Sequence, residues 1–270
     1  MTTIKKINMK NILTSVLIFS LITTLFTSCT NDNLVPYYGA ETNQPGKITI
    51  NGYSAVSDSL QLTINGKVIL IGNDKKTAFV KKIDKDYDFV YFGDEGKTVE
   101  ITNKVTKEIL HTYHFTAEKP KDTLSFFAKE NLWIDKVSSI RLGVLTKTGN
   151  SGYKFIFPNQ NKYSKSGYEG NLDGILRKVN GQVLGTIENI NKDKFGNFIE
   201  FPFSSPPTIL MELVKHGTTE SYIPGQKITV IMTMTNNKSK LIVLEEKSDA
   251  NGVFTGVDGT LNLTDYFVFK

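Results

Sequence analysis

The chain has 270 residues, 39% of them hydrophobic and 22% charged, with 17 Phe and 11 Tyr. That composition supports a packed core in one large domain or two ordinary ones, and it excludes a disordered chain. The formal net charge is +5, but Lys5, Lys6 and Lys10 lie before residue 29 with no acid among them, so loss of that segment leaves +2. Lys alternates with Asp and Glu through the remainder, and no nucleic-acid partner is expected. A single cysteine excludes an internal disulfide and a thiolate zinc site.

Behind the three lysines, residues 12–26 form an apolar run of about fifteen residues. As a helix this run would reach about 22 Å, short of a hydrocarbon core of about 30 Å, so it predicts a signal-peptide core rather than a permanent span. Met9-Lys10-Asn11 would serve as an alternative start. The run ends in Phe26-Thr27-Ser28-Cys29. This resembles the lipobox of bacterial lipoproteins, with Phe26 where Leu is usual. The resemblance implies a signal peptide over 1–28, cleavage between Ser28 and Cys29, and attachment of membrane lipid, palmitate-type chains included, to Cys29. Several chains anchor far more firmly than one. Thr30-Asn31-Asp32-Asn33 resembles the short export signals of Bacteroidetes-type surface lipoproteins, with Asp32 as its acid. The implied location is the outer membrane, facing outward, with the periplasmic face as the alternative.

Residues 29–46 contain Pro36, Gly39, Pro45 and Gly46 and read as a flexible tether. From residue 47 the pattern alternates with period two, over 47–51, 60–64, 67–71, 77–83, 87–92, 97–102 and 108–115. Asn65-Gly66 between two such runs predicts a hairpin, because both turn residues accept positive φ. Residues 124–127 read as the last strand of a first domain over 47–130. The second domain, 131–270, has strand-like runs at 139–146, 153–157, 174–179, 182–187, 198–203, 209–215, 227–235, 241–245 and 259–262. Asn180-Gly181 is a second hairpin signal, in a segment (178–183) that looks like 63–68. Two related domains, or convergence on one turn, would each explain the likeness. The apolar tail, 266–270, reads as a paired strand, since a free one would invite aggregation. The expected fold class is all-β, as two tandem immunoglobulin-like β-sandwich domains.

Candidate chemistry is sparse. His111 and His114 lie three apart on an expected strand and so point to opposite faces, and His216 sits at a strand end; none is expected to ligate a metal. Asp84, Asp86, Asp88 and Glu95 follow part of a calcium-loop spacing, but Phe89 stands where glycine is needed, and alternating acids are the solvent face of a strand. No nucleophile elbow, paired carboxylate or phosphate-cradling loop is present, so neither a catalytic residue nor a cofactor is expected. The stretch holding Tyr153, Tyr163 and Tyr168, among Asn159, Asn161, Ser164 and Ser166, suits a sugar: ring faces stack on C–H faces while short polar groups meet hydroxyls. The same composition describes an exposed loop.

The layout resembles the tandem-sandwich surface lipoproteins of Bacteroidetes-type bacteria, which implies a glycan, a protein or an envelope partner. The leading expectation is a non-catalytic binding or adhesion module with a glycan or protein ligand. A structural accessory subunit of an envelope complex is the alternative, and a secreted hydrolase the third reading.

Overall fold

The computed structural model describes residues 43–130 and 132–269. The signal peptide, Ser28, Cys29 and Asp32 lie outside the described residues. No helix among the described residues is long and apolar enough to cross a membrane.

The chain is all-β, built as two tandem immunoglobulin-like sandwiches. The strands of the first are β1 (Asn43–Ser54), β2 (Leu60–Ile64), β3 (Lys67–Val68), β4 (Lys81–Phe92), β5 (Lys97–Asn103), β6 (Ile109–Phe115), β7 (Lys121–Lys129) and β8 (Leu132–Asp135). Those of the second are β9 (Asn150–Ile156), β10 (Leu172–Lys178), β11 (Val183–Ile190), β12 (Ile199–Pro202), β13 (Thr208–Lys215), β14 (Ile228–Thr233), β15 (Lys238–Ser248) and β16 (Phe254–Asn262). One sheet of the first sandwich runs β4-β1-β7-β8 and the other β3-β2-β5-β6; the second sandwich has β12-β9-β15-β16 and β11-β10-β13-β14. Adding eight to each strand number converts the first topology into the second. The senses agree too: β1 with β7 and β9 with β15 are parallel, and the remaining pairs are antiparallel. The two Asn-Gly hairpins, β2–β3 and β10–β11, occupy equivalent places. The sandwiches are a topological repeat.

Alternation builds both cores. β1 buries Ile48, Ile50 and Gly52 and half-exposes the residues between. The first core gathers Ile48, Ile50, Leu60, Leu62, Val99, Ile101, Leu124 and Phe126; the second gathers Phe155, Leu176, Met211, Leu213, Val230 and Leu244. Asp84, Asp86 and Asp88 share the exposed face of β4, a sheet-edge strand, where charge discourages pairing with another chain. Asp86 pairs with Lys47 at 2.5 Å and accepts from Thr49 Oγ1 at 2.7 Å. The calcium-like spacing is thus an edge guard, and no metal-grade cluster of acids, histidines or cysteines occurs among the described residues.

Four local expectations differ from the structure. Asn43–Gly46, assigned to the tether, opens β1 and pairs with Phe92–Phe89 of β4. Pro45 is tolerated because β7 joins β1 only from Lys47 onward. Gly46 is required because the Phe89 and Tyr91 rings cross its Cα. The expected boundary at 130/131 falls between β7 and β8, which pair, so the first sheet ends at Asp135. Residues 139–146 form no strand: a 3₁₀ turn at Val137–Ser139 is followed by irregular chain, with Gly143 beneath the Phe198 ring. The tail is not a strand either. After a 3₁₀ turn at Leu263–Asp265, Tyr266 packs on Tyr53 (4.6 Å between ring centroids) and Phe127 (5.1 Å) of the first sandwich. Burial against a neighbouring domain protects an apolar tail as well as strand pairing does.

That contact belongs to a third apolar cluster, the seam. Phe127, Leu132, Ile134 and Val137 meet Ile156, Leu241, Val243, Leu261 and Leu263, flanked by Tyr53, Tyr266, Phe267 and Phe269. Strand alternation produces it: on β15, Ile242 and Leu244 enter the second core while Leu241 and Val243 face the seam. Lys129 of β7 crosses the seam to Glu245 of β15 at 3.0 Å.

Candidate functional site

The three tyrosines expected to share a loop are separated. Tyr153 lies on β9 with its ring 1% exposed, so it cannot be a surface stacking platform. Tyr163 and Tyr168 do sit on the loop between β9 and β10, but Lys162 and Lys215 lie over their rings, each 5.6 Å from the ring centre. The Tyr168 hydroxyl donates to the Asn171 carbonyl at 3.0 Å. The short polar residues there serve the fold. Glu246, 1% exposed on β15, accepts from the N–H groups of Asn161 (3.0 Å), Tyr163 (2.7 Å) and Ser164 (3.0 Å). It also accepts from the hydroxyls of Ser164 (2.5 Å) and Tyr222 (3.1 Å). The loop is wrapped around a buried carboxylate.

His216 serves the fold similarly. Its Nδ1 lies 2.8 Å from Asp173 Oδ1, and Asp173 accepts the N–H of Gly217 (2.9 Å) and Asn189 (3.0 Å). Burial alone would raise the Asp173 pKa, yet Gly217, His216 and Asn189 together hold it below its ordinary value of 3.8. A depressed acid contributes stability that is complete above the unfolded pKa and is lost as pH falls through the folded one. Thermal unfolding across about pH 4 to 2 should therefore show a falling midpoint that Asp173→Asn flattens. An unchanged slope in Asp173→Asn would refute the assignment.

His111 and Trp133 belong to a filled gap. Trp133 is stacked between His111 (4.8 Å, 5°) and Phe126 (4.8 Å, 11°), so both faces of its ring are covered. Its Nε1–H donates to Asp135 Oδ1 at 2.7 Å, and Asp135 also binds the Tyr113 hydroxyl and lies 3.3 Å from His111 Nε2. This group closes the edge between β6 and β8. His114, on the opposite face, reaches Thr98 Oγ1 at 3.2 Å.

The equivalent strands of the second sandwich, β14 and β16, are in direct contact, and the edge beside that contact is not filled. The strands touch where Gly259 meets Val230, and beyond that point a cleft of about 380 Å³ enters between the sheets. Tyr153, Met232 and Ile242 form its floor; Thr233, Thr235, Lys238, Lys240, Thr260, Asn262 and Asp265 line its walls and mouth. The Tyr153 hydroxyl is buried. Its phenol pKa is pushed up to about 12 by burial, against the opposing effect of hydrogen-bonding contacts to Ser151 and the Thr235 backbone. Sequence reasoning selected Tyr153 as an aromatic in a stretch of short polar residues and missed its neighbours, since Thr, Lys and Asn at strand ends carry no distinctive spacing.

The cleft depends on Gly259. A methyl group there would stand 2.6 Å from Val230 Cγ1 and 3.3 Å from Leu244 Cδ2. Gly259→Ala should push β16 away from β14 at a cost of about 1–3 kcal/mol, measurable by urea unfolding. A loss below about 0.5 kcal/mol would show that the strands yield freely.

A second cavity, of about 460 Å³, lies along the seam between Trp133, Asp135 and Lys136 on one side and Pro158, Lys192, Lys194 and Phe195 on the other.

No protein-family model matches the chain, and no curated protein matches it. Among solved structures the chain is similar to family 41 carbohydrate-binding modules of streptococcal virulence factors, described for alpha-glucan recognition. The identity is 14% and the TM-score 0.23, over 74% of this chain and 93% of that one. It is also similar to the Bacillus anthracis TIE protein, at 13% identity and TM-score 0.23 over 76% of this chain and 34% of that one. A third is the glycogen-degrading pneumococcal virulence factor SpuA, at 11% identity and TM-score 0.22, over 76% of this chain and 21% of that one. Overlaps this loose do not transfer a ligand.

Proposed function

We propose that this chain is a non-catalytic glycan-binding module, held by lipid on Cys29 at the outer membrane and facing the cell exterior. One observation carries the binding reading. Of two topologically equivalent edges, the first is filled by Trp133, His111, Tyr113 and Asp135, while the second keeps a cleft beside the β14–β16 contact, lined by threonine, lysine and asparagine side chains. Sandwiches gain stability by filling such gaps, so an unfilled one carries a cost that a ligand's binding would offset. Its lining of hydroxyl, amide and ammonium groups over an apolar floor matches a polyhydroxylated ring better than an apolar ligand.

The lipid anchor rests on the lipobox. Cells fed an alkyne-tagged palmitate should incorporate the tag into this polypeptide and lose it in Cys29→Ala. For the module itself, the full chain in detergent is screened against a panel of oligosaccharides. At least one should bind, and Thr233→Trp, which fills the cleft from an exposed position on β14, should weaken that binding at least tenfold. Binding indifferent to Thr233→Trp would place the ligand elsewhere.

A further inference from the structure

We infer that the cleft between β14 and β16 selects an anionic sugar unit, one carrying a carboxylate or sulfate group, over a neutral one. This rests on the glycan reading above and adds the chemistry of the ligand. It follows from a tally of hydrogen-bonding capacity in the cleft. Several of the polar groups on its walls are already used. Asn262 Oδ1 accepts from the Leu241 and Thr264 N–H groups, both at 3.2 Å, and Asn262 Nδ2 donates to Asp265 at 3.0 Å. Thr260 Oγ1 donates to Asp258 at 2.9 Å, and Ser239 Oγ donates to the Gly143 carbonyl at 2.6 Å. What remains is the Lys238 ammonium, the Lys240 ammonium beyond its one bond to the Thr233 carbonyl at 3.1 Å, and the hydroxyls of Thr233, Thr235 and Thr264.

Neither lysine makes an ion pair among the described residues, whereas Lys129 and Lys247 both pair with the buried Glu245. Lys238 and Lys240 are two residues apart on β15, so their side chains leave the same face of the strand toward the same cleft. Burial pushes the Lys240 pKa down, Asp265 works against this, and Lys238 adds to it. Two like charges at the mouth of a partly enclosed space, with Asp265 attracting from the rim, are an arrangement an anion relieves. Asp265 stands at the rim, exposed, and one of its oxygens is held by Asn262. That leaves one acid against two ammonium groups. The apolar floor of Met232 and Ile242 leaves room for a ring behind the anionic substituent.

The test is calorimetric titration of the full chain in detergent with four probes: trigalacturonate, a sulfated disaccharide, maltotriose and sodium sulfate. Trigalacturonate or the sulfated sugar should bind at least tenfold more tightly than maltotriose, and the preference should shrink in 0.5 M salt. Which of the two binds identifies the anion. Lys240→Met should cut the acidic-to-neutral ratio about tenfold, and Lys238→Met, at an exposed position that cannot disturb the fold, about threefold. Equal binding of maltotriose and the acidic sugars would overturn anionic selection while leaving the glycan reading intact. Sodium sulfate matching the sugars would overturn selection of a sugar. Binding by none of the four, with the unfolding transition intact, would overturn anionic selection, and a blank oligosaccharide panel would overturn the glycan reading with it.

Discussion

Replacing Glu246 by alanine is expected to destabilise the protein by about 3–5 kcal/mol, the largest effect of any single polar substitution here. The carboxylate is 1% exposed and receives five donors: three backbone N–H groups of the β9–β10 loop and the hydroxyls of Ser164 and Tyr222. Each donor orphaned in the interior costs about 1–3 kcal/mol, and water reaching the loosened loop recovers part of that, so the total falls short of the sum. Glu246→Gln preserves shape but points an NH₂ at groups that are all donors, and should still cost about 2 kcal/mol. Urea unfolding measures the loss, and amide exchange at Asn161, Tyr163 and Ser164 should accelerate together, because one acceptor serves all three. If those amides stay protected, or the loss is below about 1 kcal/mol, the loop is held by something other than this carboxylate.

The second large effect concerns the seam. Phe127→Ala should cost about 3–5 kcal/mol and split one unfolding transition into two. Phe127 is fully buried between Tyr53, whose ring lies 6.0 Å away at 7°, and Tyr266 of the tail. It belongs to the first sandwich by chain and to the contact between sandwiches by packing. Deleting its ring leaves a cavity at the one place where Tyr53, Leu132, Ile134 and the tail meet. Stability is lost from the coupling between domains more than from either core, which is why calorimetry should resolve separate melts. The Lys129–Glu245 pair does not substitute for the ring, since Glu245 is buried and shared with Lys247, and the cost of desolvating it offsets most of the attraction. A single sharp transition in Phe127→Ala would show that the domains are coupled by another route.

Much of the first level of structure is legible from the chain. Alternation placed most strands to within a few residues, and Asn65-Gly66 and Asn180-Gly181 located two turns whose residues adopt positive φ, except that Asn180 does not. These signals are local: the period of a strand and the chemistry of a turn are set by neighbours a few residues apart. The failures have the same origin. Pro45-Gly46 looked like a linker because a linker and a strand that starts at a sheet edge under two aromatic rings use the same residues. The tail looked like a strand because an apolar run shows that burial is needed without showing against what. Trp133 carried no sequence signal for its role, since the two rings that cover it come from β6 and β7.

By itself, then, the sequence determined the all-β class, most of the strand positions and the two hairpins, for each depends on order over a short window. Only the tertiary structure decided that the two halves repeat one topology, that their faces join at an apolar seam, and that one edge is filled while its counterpart keeps a cleft. Glu246 meets Ser164 across 82 residues and Lys129 meets Glu245 across 116. At such separations no local pattern specifies the partner. The face that a strand turns inward is written in its alternation, but what it turns toward is settled by how whole sheets pack.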